Sequence, residues 1–385
     1  MFNYKYKYLK YKLKYKKLIN GGINNLTYKI AFIGCWNCSL KKCDKGNNTI
    51  ATLDNIIKSN VNKTIFLGDN AYPNKLKLKL KGDEKNKKKF KYYTDELIYG
   101  EDNRILKKLK EFDVFNIKYL GIGNHDIEPE YDNKKILKEI KDKNINDVFI
   151  LEDVEGKILN SNPKYLKEKS KNKCHPYVKL HSENIFAPIE ENVSFYLIPL
   201  DFNLRIFMID TNILTEEFDP SDCRLLYNNS TKDDLKYEMI NELKNYIIYS
   251  NTYNLQLIIT GHNPIISFKE NELASNVNDF KEILDLIVEI GIKELIYISA
   301  DTHNSQLCEF EYKNTLKIQN YISGNGGTDL DKTDIDETSR NKIIKNSDIE
   351  KISNIKITQF NDTDYGFLML EIDENKSLKF NFKYN

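Results

Sequence analysis

Acidic, amide and imidazole side chains recur in this chain at the ends of apolar runs. Asp69 follows Thr64-Ile65-Phe66-Leu67-Gly68, and Asn124, His125 and Asp126 follow the run from Ile117 to Gly123. His262 follows Leu257-Ile258-Ile259-Thr260-Gly261, and Asp301 and His303 follow Leu295 to Ala300. Carboxylates, amides and imidazoles are ligands for divalent and trivalent cations. A hydrolytic centre with two cations about 3.5–4 Å apart needs a carboxylate that gives one oxygen to each. It also needs terminal nitrogen and oxygen ligands and a water made acidic enough to attack. Asp69 suits the shared carboxylate, Asn124 offers an amide oxygen, and His262 and His303 offer ring nitrogens. His125, directly after Asn124, is placed to give a proton to a leaving oxygen, with Asp126 beside it to hold the ring.

These residues need strands to carry them. Continuous apolar runs read as strands buried on both faces, and ligands at the carboxyl ends of such strands converge on one crevice. Glycine at Gly68, Gly123 and Gly261 lets the chain turn sharply off each strand. A first strand is expected over Tyr28 to Ile33, and helices over Ile50 to Lys58 and Asn103 to Phe112. A strand pair is expected around Val193 to Tyr196 and Arg205 to Asp210. Amphipathic helices follow over Leu235 to Tyr249 and Asp279 to Ile290, the second closed by Gly291. Two closing strands, Tyr365 to Ile372 and Leu378 to Phe382, flank a polar turn. The Lys-rich stretch from Lys75 to Lys91 has no core-facing pattern and reads as an exposed insertion, and 152–176 reads as irregular. Together these elements predict a mixed β-sandwich flanked by helices.

Gly68-Asp69-Asn70-Ala71-Tyr72, Gly123-Asn124-His125-Asp126, Gly261-His262-Asn263-Pro264 and Asp301-Thr302-His303 resemble the motifs of calcineurin-like metallophosphoesterases. The pattern Gly-Asp-Asn-x-Tyr is similar to the purple acid phosphatase branch, in which the tyrosine binds a ferric ion. Cys174-His175-Pro176-Tyr177, Ile206 to Thr211, Tyr321 to Gly327 and Asp364-Tyr365-Gly366-Phe367 resemble its small, tartrate-resistant type. The resemblance covers residues 28–385. It implies an α/β fold, a four-layer α/β/β/α sandwich with mixed β-sheets. It also implies a phosphomonoesterase with two metal ions, iron, zinc or manganese, acting on a phosphorylated small molecule or phosphoprotein. Tyr72 becomes a metal ligand on this reading, and Asn37 and Asn70 become candidate substrate-binding residues.

Two positions depart from the pattern. Cys35 stands where the family carries the aspartate of its opening Gly-Asp, and Asp301 stands where it carries the first histidine of Gly-His-x-His. A thiolate and a carboxylate both ligate metals. Cys35 and Asp301 therefore remain candidate ligands, and the alternative is an impaired pseudophosphatase that serves as a binding or virion-associated protein.

The rest of the composition narrows the class. Hydrophobic residues make up 40% and charged residues 30% of 385, which suits a globular protein with a substantial core. A net charge of +1 carries no polyanion-binding signature, so no nucleic-acid partner is expected. No run of about 20 apolar residues predicts a membrane span. Cys35, Cys38 and Cys43 crowd together, but no second Cys or His pair follows at zinc-finger spacing. Residues 1–22 alternate Lys and Tyr and end in Asn20-Gly21-Gly22. They lack the apolar region of a secretory signal and read either as a solvated basic tail or as a leader that binds an acidic surface. The stretch resembles the Lys/Tyr leaders of giant DNA virus proteins, which implies a virion as a partner.

Overall fold

The computed structural model describes residues 27–36, 47–70, 74–80, 83–92, 104–112, 116–127, 149–152, 158–160, 186, 194–200, 204–215 and 230–385. The basic stretch 1–22, Asn37, Cys38, Cys43, Tyr72, Cys174 and His175 lie outside them. Strands β1 (Tyr28–Ile33), β2 (Lys63–Phe66) and β5 (Ile117–Leu120) run parallel in one sheet, joined on the other side by antiparallel β17 (Gly366–Ile372) and β18 (Leu378–Tyr384). Its order is β18-β17-β1-β2-β5.

A second sheet contains β8 (Tyr196–Pro199), β9 (Arg205–Met208), β10 (Leu257–Thr260), β13 (Glu294–Ser299), β14 (Ser305–Tyr312), β15 (Leu316–Ser323) and β16 (Ile352–Asn361). Its order is β16-β14-β15-β13-β10-β9-β8, with β9, β10, β13 and β15 parallel and the remaining pairs antiparallel. A hairpin, β11 (Ile266–Lys269) and β12 (Glu272–Ser275), follows β10. The backbones of β3 (Asn74–Leu80), β4 (Asp83–Tyr92), β6 (Phe149–Glu152) and β7 (Ile158–Asn160) form a further antiparallel sheet.

The apolar runs are long because both faces of their strands are covered. Ile30 and Phe32 of β1 join one buried cluster, while Ala31 and Ile33 join another. The same alternation separates Ile258 from Leu257 and Ile259, and Ile296 and Ile298 from Leu295 and Tyr297. The first cluster takes residues from both large sheets, among them Ile65 and Leu370 from one and Ile206 and Ile258 from the other. The second contains the apolar faces of helices α1 (Asn47–Lys58), α2 (Arg104–Glu111), α4 (Lys232–Thr252) and α5 (Val277–Ile290). Each fully buried aliphatic side chain stabilises the fold by about 1.5–3 kcal/mol.

The helix signals read for α5 act as expected. In α5, Val277, Phe280, Ile283, Leu284 and Ile287 form one buried stripe, and Gly291 closes the helix at φ 92°. Thr231 and Asp234 form a reciprocal capping box that starts α4. No helix among the described residues is long and apolar enough to cross a membrane.

Several expectations are corrected. The predicted Val193 to Tyr196 strand lies instead at Tyr196–Pro199, because at a sheet edge a terminal proline removes no ladder hydrogen bond. The Lys-rich stretch, read as an insertion, carries a strand pair, β3 and β4, and Ile158–Asn160 within the stretch expected to be irregular is a strand. Helix α6 (Glu337–Asn346), β16 and the β11–β12 hairpin were not foreseen.

Candidate metal centre

The parallel strands of both sheets deliver the chemistry-bearing residues. Cys35 and Asp69 follow β1 and β2, Asn124 opens the short helix α3 (Asn124–Ile127) after β5, and His262 and Asp301 follow β10 and β13. Backbone hydrogen bonds join these ends: Cys35 N–H donates to the Gly68 carbonyl at 3.2 Å, and Ala300 N–H donates to the His262 carbonyl at 2.8 Å. Gly34 N–H donates to the Ser323 carbonyl at 2.9 Å and so ties the two sheets together at this end.

Cys35, Asp69 and Asp301 all adopt left-handed backbone, at φ 50°, 50° and 58°. For residues with a Cβ this costs about 1–2 kcal/mol each, and such strain persists where the surroundings over-determine a functional geometry. Gly68 lies at φ 103°, and a Cβ there would meet Gly123 N at 2.5 Å and the His262 ring at 2.7 Å. Any larger residue would separate the Asp69 and Asn124 loops.

His262 is the hub. Its Nδ1 lies 3.0 Å from the Leu67 carbonyl, which can only accept, so Nδ1 carries the proton and Nε2 faces the site. Nε2 meets Asn124 Oδ1 at 3.2 Å, Asp69 Oδ1 at 3.3 Å and Asp301 Oδ1 at 3.6 Å. Three oxygens thus crowd one ring nitrogen that can offer at most one proton. A cation relieves that excess of acceptors, and ligands about 2.0–2.2 Å from one ion are separated by similar distances. The donor set fits a metal.

Asp69 is buried, and its second oxygen lies 4.0 Å from Cys35 Sγ while Oδ1 accepts the His125 N–H at 3.1 Å. Cys35, Asp69 and His262 offer ligand atoms all within 4.8 Å of one another. Burial works to raise the Asp69 pKa, but the His262 and His125 charges and hydrogen bonds hold it well below the usual carboxylate range. Burial works to lower that of His262, yet the Asp69 charge, with Asp301 and Asp126, raises it to about 9. Without a cation, the proton on His262 is what balances these carboxylates.

Asp126 and Asn70 do other work than expected. Asp126 Oδ1 accepts from Asn70 N at 2.8 Å, and Oδ2 accepts from Gly123 N at 2.8 Å and from Asn70 Nδ2 at 2.7 Å. Its hydrogen bonds therefore join the Asp69 and Asn124 loops and do not orient the His125 ring. Burial, then the Asp69 charge, raises its pKa to about 7. Asn70 is also fully buried: Oδ1 accepts from Trp36 Nε1 at 2.8 Å, and Nδ2 donates to the Gly121 carbonyl at 2.8 Å as well as to Asp126. Its amide has no donor left for a substrate.

His125 is half-buried, with its backbone beside Asp69. His303 stands apart from the group of three: its Nδ1 lies 2.9 Å from the Asp329 carbonyl, and its N–H donates to Asp331 Oδ2 at 2.9 Å. Tyr72 and Asn37 lie outside the described residues. Sequence reasoning missed Trp36, Asp331 and Lys269, whose roles arise from contacts with residues distant in the chain.

No family model matches the chain, and no curated protein matches it. Solved structures do. The structure of PhoD superposes with a TM-score of 0.52 at 12% identity, covering 91% of this chain and 64% of PhoD. The two share a mixed α/β fold, and this chain spans a little under two thirds of PhoD. GAP50, described as the anchor in the inner membrane complex of Plasmodium, gives 0.47 at 13% identity, over 93% of this chain and 84% of GAP50. A dimetal phosphatase from Danio rerio gives 0.44 at 9% identity, over 90% of this chain and 95% of that protein.

Proposed function

We propose that this protein is a metal-dependent phosphoric ester hydrolase acting on phosphomonoesters, with the α/β/β/α layering of metallophosphoesterases. The observation that carries this reading is the convergence of Asp69, Asn124 and Asp301 oxygens on His262 Nε2. Support for the layering comes from the strands that alternate between an inter-sheet and a helix-side cluster. The fold shared with PhoD agrees with it.

Asp69, Asn124, His262 and Asp301 would hold one cation. Asp69 through its second oxygen, Cys35, His303 and Tyr72 would hold the other, with zinc, manganese or iron as the metals. Bound there, such ions supply Lewis acidity toward a phosphoryl oxygen and an acidified water. The protein holds Asp69 ionised, fixes the His262 tautomer through the Leu67 carbonyl, and locks the ligand loops with the Asp126–Asn70 bridge. His125, half-buried and beside Asp69, donates the proton that the departing alkoxide needs. A phosphorylated small molecule or phosphoprotein is the substrate class.

Purified protein supplied with Zn, Mn or Fe should hydrolyse a generic aryl phosphate, and Asp69→Asn should reduce turnover to background. A folded Asp69→Asn variant with wild-type turnover would remove the reading. Cys35 in an aspartate's place, with His303 outside the close group of Cys35, Asp69 and His262, favours a second reading, a pseudophosphatase that binds but does not turn over. That reading expects one metal or none and no hydrolysis with any of these ions.

A further inference from the structure

Lys269 ends β11, and its backbone neighbour is firmly held. Phe268 is buried, its N–H donates to Gln306 Oε1 at 2.9 Å, and its carbonyl accepts from Asn304 Nδ2 at 3.2 Å and Gln306 Nε2 at 3.1 Å. The turn that follows uses Glu270 and Asn271, both left-handed at φ 50° and 66°. This is the tight two-residue connection that keeps hairpin strands in register, and Lys269 pairs with Glu272 across it. The base of the Lys269 side chain is thus fixed by buried side chains from β14 and the loop before it.

Its ammonium lies beside the segment that holds His303. Nζ lies 3.7 Å from Asp331 Oδ2, and Asp331 in turn accepts the His303 N–H at 2.9 Å. At 3.7 Å that contact is an ion pair too long for a hydrogen bond, so among the described residues the three Nζ donors have no acceptor. Burial would drive the proton off, but Asp301, then Asp331, Cys35 and Glu270, face the group and keep it charged. The side chain is about one third exposed, at 35%. A permanent cation with uncommitted donors, on a pinned strand beside candidate metal ligands, has the chemistry to meet an anion entering the crevice.

We propose that Lys269 is a phosphate-binding residue of this centre, donating to a non-bridging oxygen of the substrate's terminal phosphate. The protein thereby favours monoester dianions over diester monoanions. Asp331 is the positioning residue that aims Lys269 while fixing the His303 segment. The inference rests on the centre being a phosphoester hydrolase.

The test uses the full chain loaded with zinc or manganese, as wild type, Lys269→Met and Lys269→Arg. Inorganic phosphate binding is measured by calorimetry, kcat/KM on an aryl phosphomonoester and a bis-aryl phosphodiester, and metal content and Tm on the same samples. Loss of a charge-assisted hydrogen bond should weaken phosphate binding and monoester kcat/KM by about 10–100-fold in Lys269→Met. Diester kcat/KM should fall much less, Lys269→Arg should recover most of the loss, and metal content and Tm should hold. Unchanged phosphate binding with an unchanged monoester-to-diester ratio overturns the inference, as does loss of bound metal in Lys269→Met. A wild type that binds phosphate through Lys269 but hydrolyses nothing leaves the inference standing and removes the hydrolase reading instead.

Discussion

The two sides of the crevice are built from different chemistry. Around His262, three oxygens and a ring nitrogen lie within 3.6 Å, held by the Leu67 carbonyl and by a fully hydrogen-bonded Asp126–Asn70 bridge. On the other side Cys35 Sγ stands 4.0 Å from Asp69 Oδ2, and His303 is tied to the 329–331 segment. Carboxylate and amide oxygens suit harder ions and imidazole suits zinc or iron, whereas thiolate selects softer ions such as zinc. On the proposed reading the His262 side offers the closer set of donors for a cation, and the Cys35 side would take a softer one. Asp69 belongs to both, which couples them.

The comparison can be broken most directly at its hub. His262→Ala should lower metal-dependent turnover by at least about 100-fold, since loss of even an outer-shell partner of a metal ligand costs 10–100-fold. Equal activity in that variant, by aryl phosphate assay, would dissolve the distinction between the sides. Asp126→Ala removes the acceptor of three hydrogen bonds in a fully buried position. It should cost about 2–4 kcal/mol, as expected for leaving buried donors unsatisfied, and thermal unfolding should show a Tm lower by several degrees. An unchanged Tm would mean that the two ligand loops are held by other contacts.

Cys35→Ser sharpens the contrast. Zinc affinity should drop about 10–100-fold while manganese affinity moves little, and the thiolate charge-transfer band of cobalt-substituted protein should disappear. A band that survives would place Cys35 outside the ligand set. The smallest effect is on pH dependence without metal. His262 moves from 6.5 to about 9 on folding, so its contribution to stability is complete below pH 6.5 and is lost as pH rises through 9. Asp126 moves from 3.8 to about 7 and acts with the same sign, complete below pH 3.8 and lost as pH rises through 7. Asp69, lowered from 3.8, acts oppositely: its contribution is present above pH 3.8 and lost as pH falls toward its depressed value. Chelated protein should therefore lose Tm from neutral to alkaline pH, and added metal should flatten that decline because binding displaces the proton.

Much of the frame was legible because its signals are local. The apolar runs ending in glycine gave β2, β5 and β10, the run ending in Ala300-Asp301 gave β13, and Gly291 marked the end of α5. Helix α6 escaped because only Ile344 of it is buried, which leaves no apolar stripe to read. Strand β16 escaped because its isoleucines, at 352, 355 and 357, break the two-residue period. Asn70 was misread because its motif does not reveal that Trp36, Gly121 and Asp126 already satisfy its amide. Lys269 had no signal at all, since its pairing with Asp331 spans 62 positions and exists only once the sheets have met.

The central claim is that the donors around His262 Nε2 form a metal site. Equilibrium dialysis of chelated wild type, Asp301→Ala and His262→Ala against manganese and zinc, with elemental analysis of the protein, tests it most directly. The account predicts bound metal in the wild type, weaker binding in Asp301→Ala and loss of at least one ion per chain in His262→Ala. Folded wild type that takes up neither metal, or a His262→Ala variant that binds as much as wild type, would contradict it.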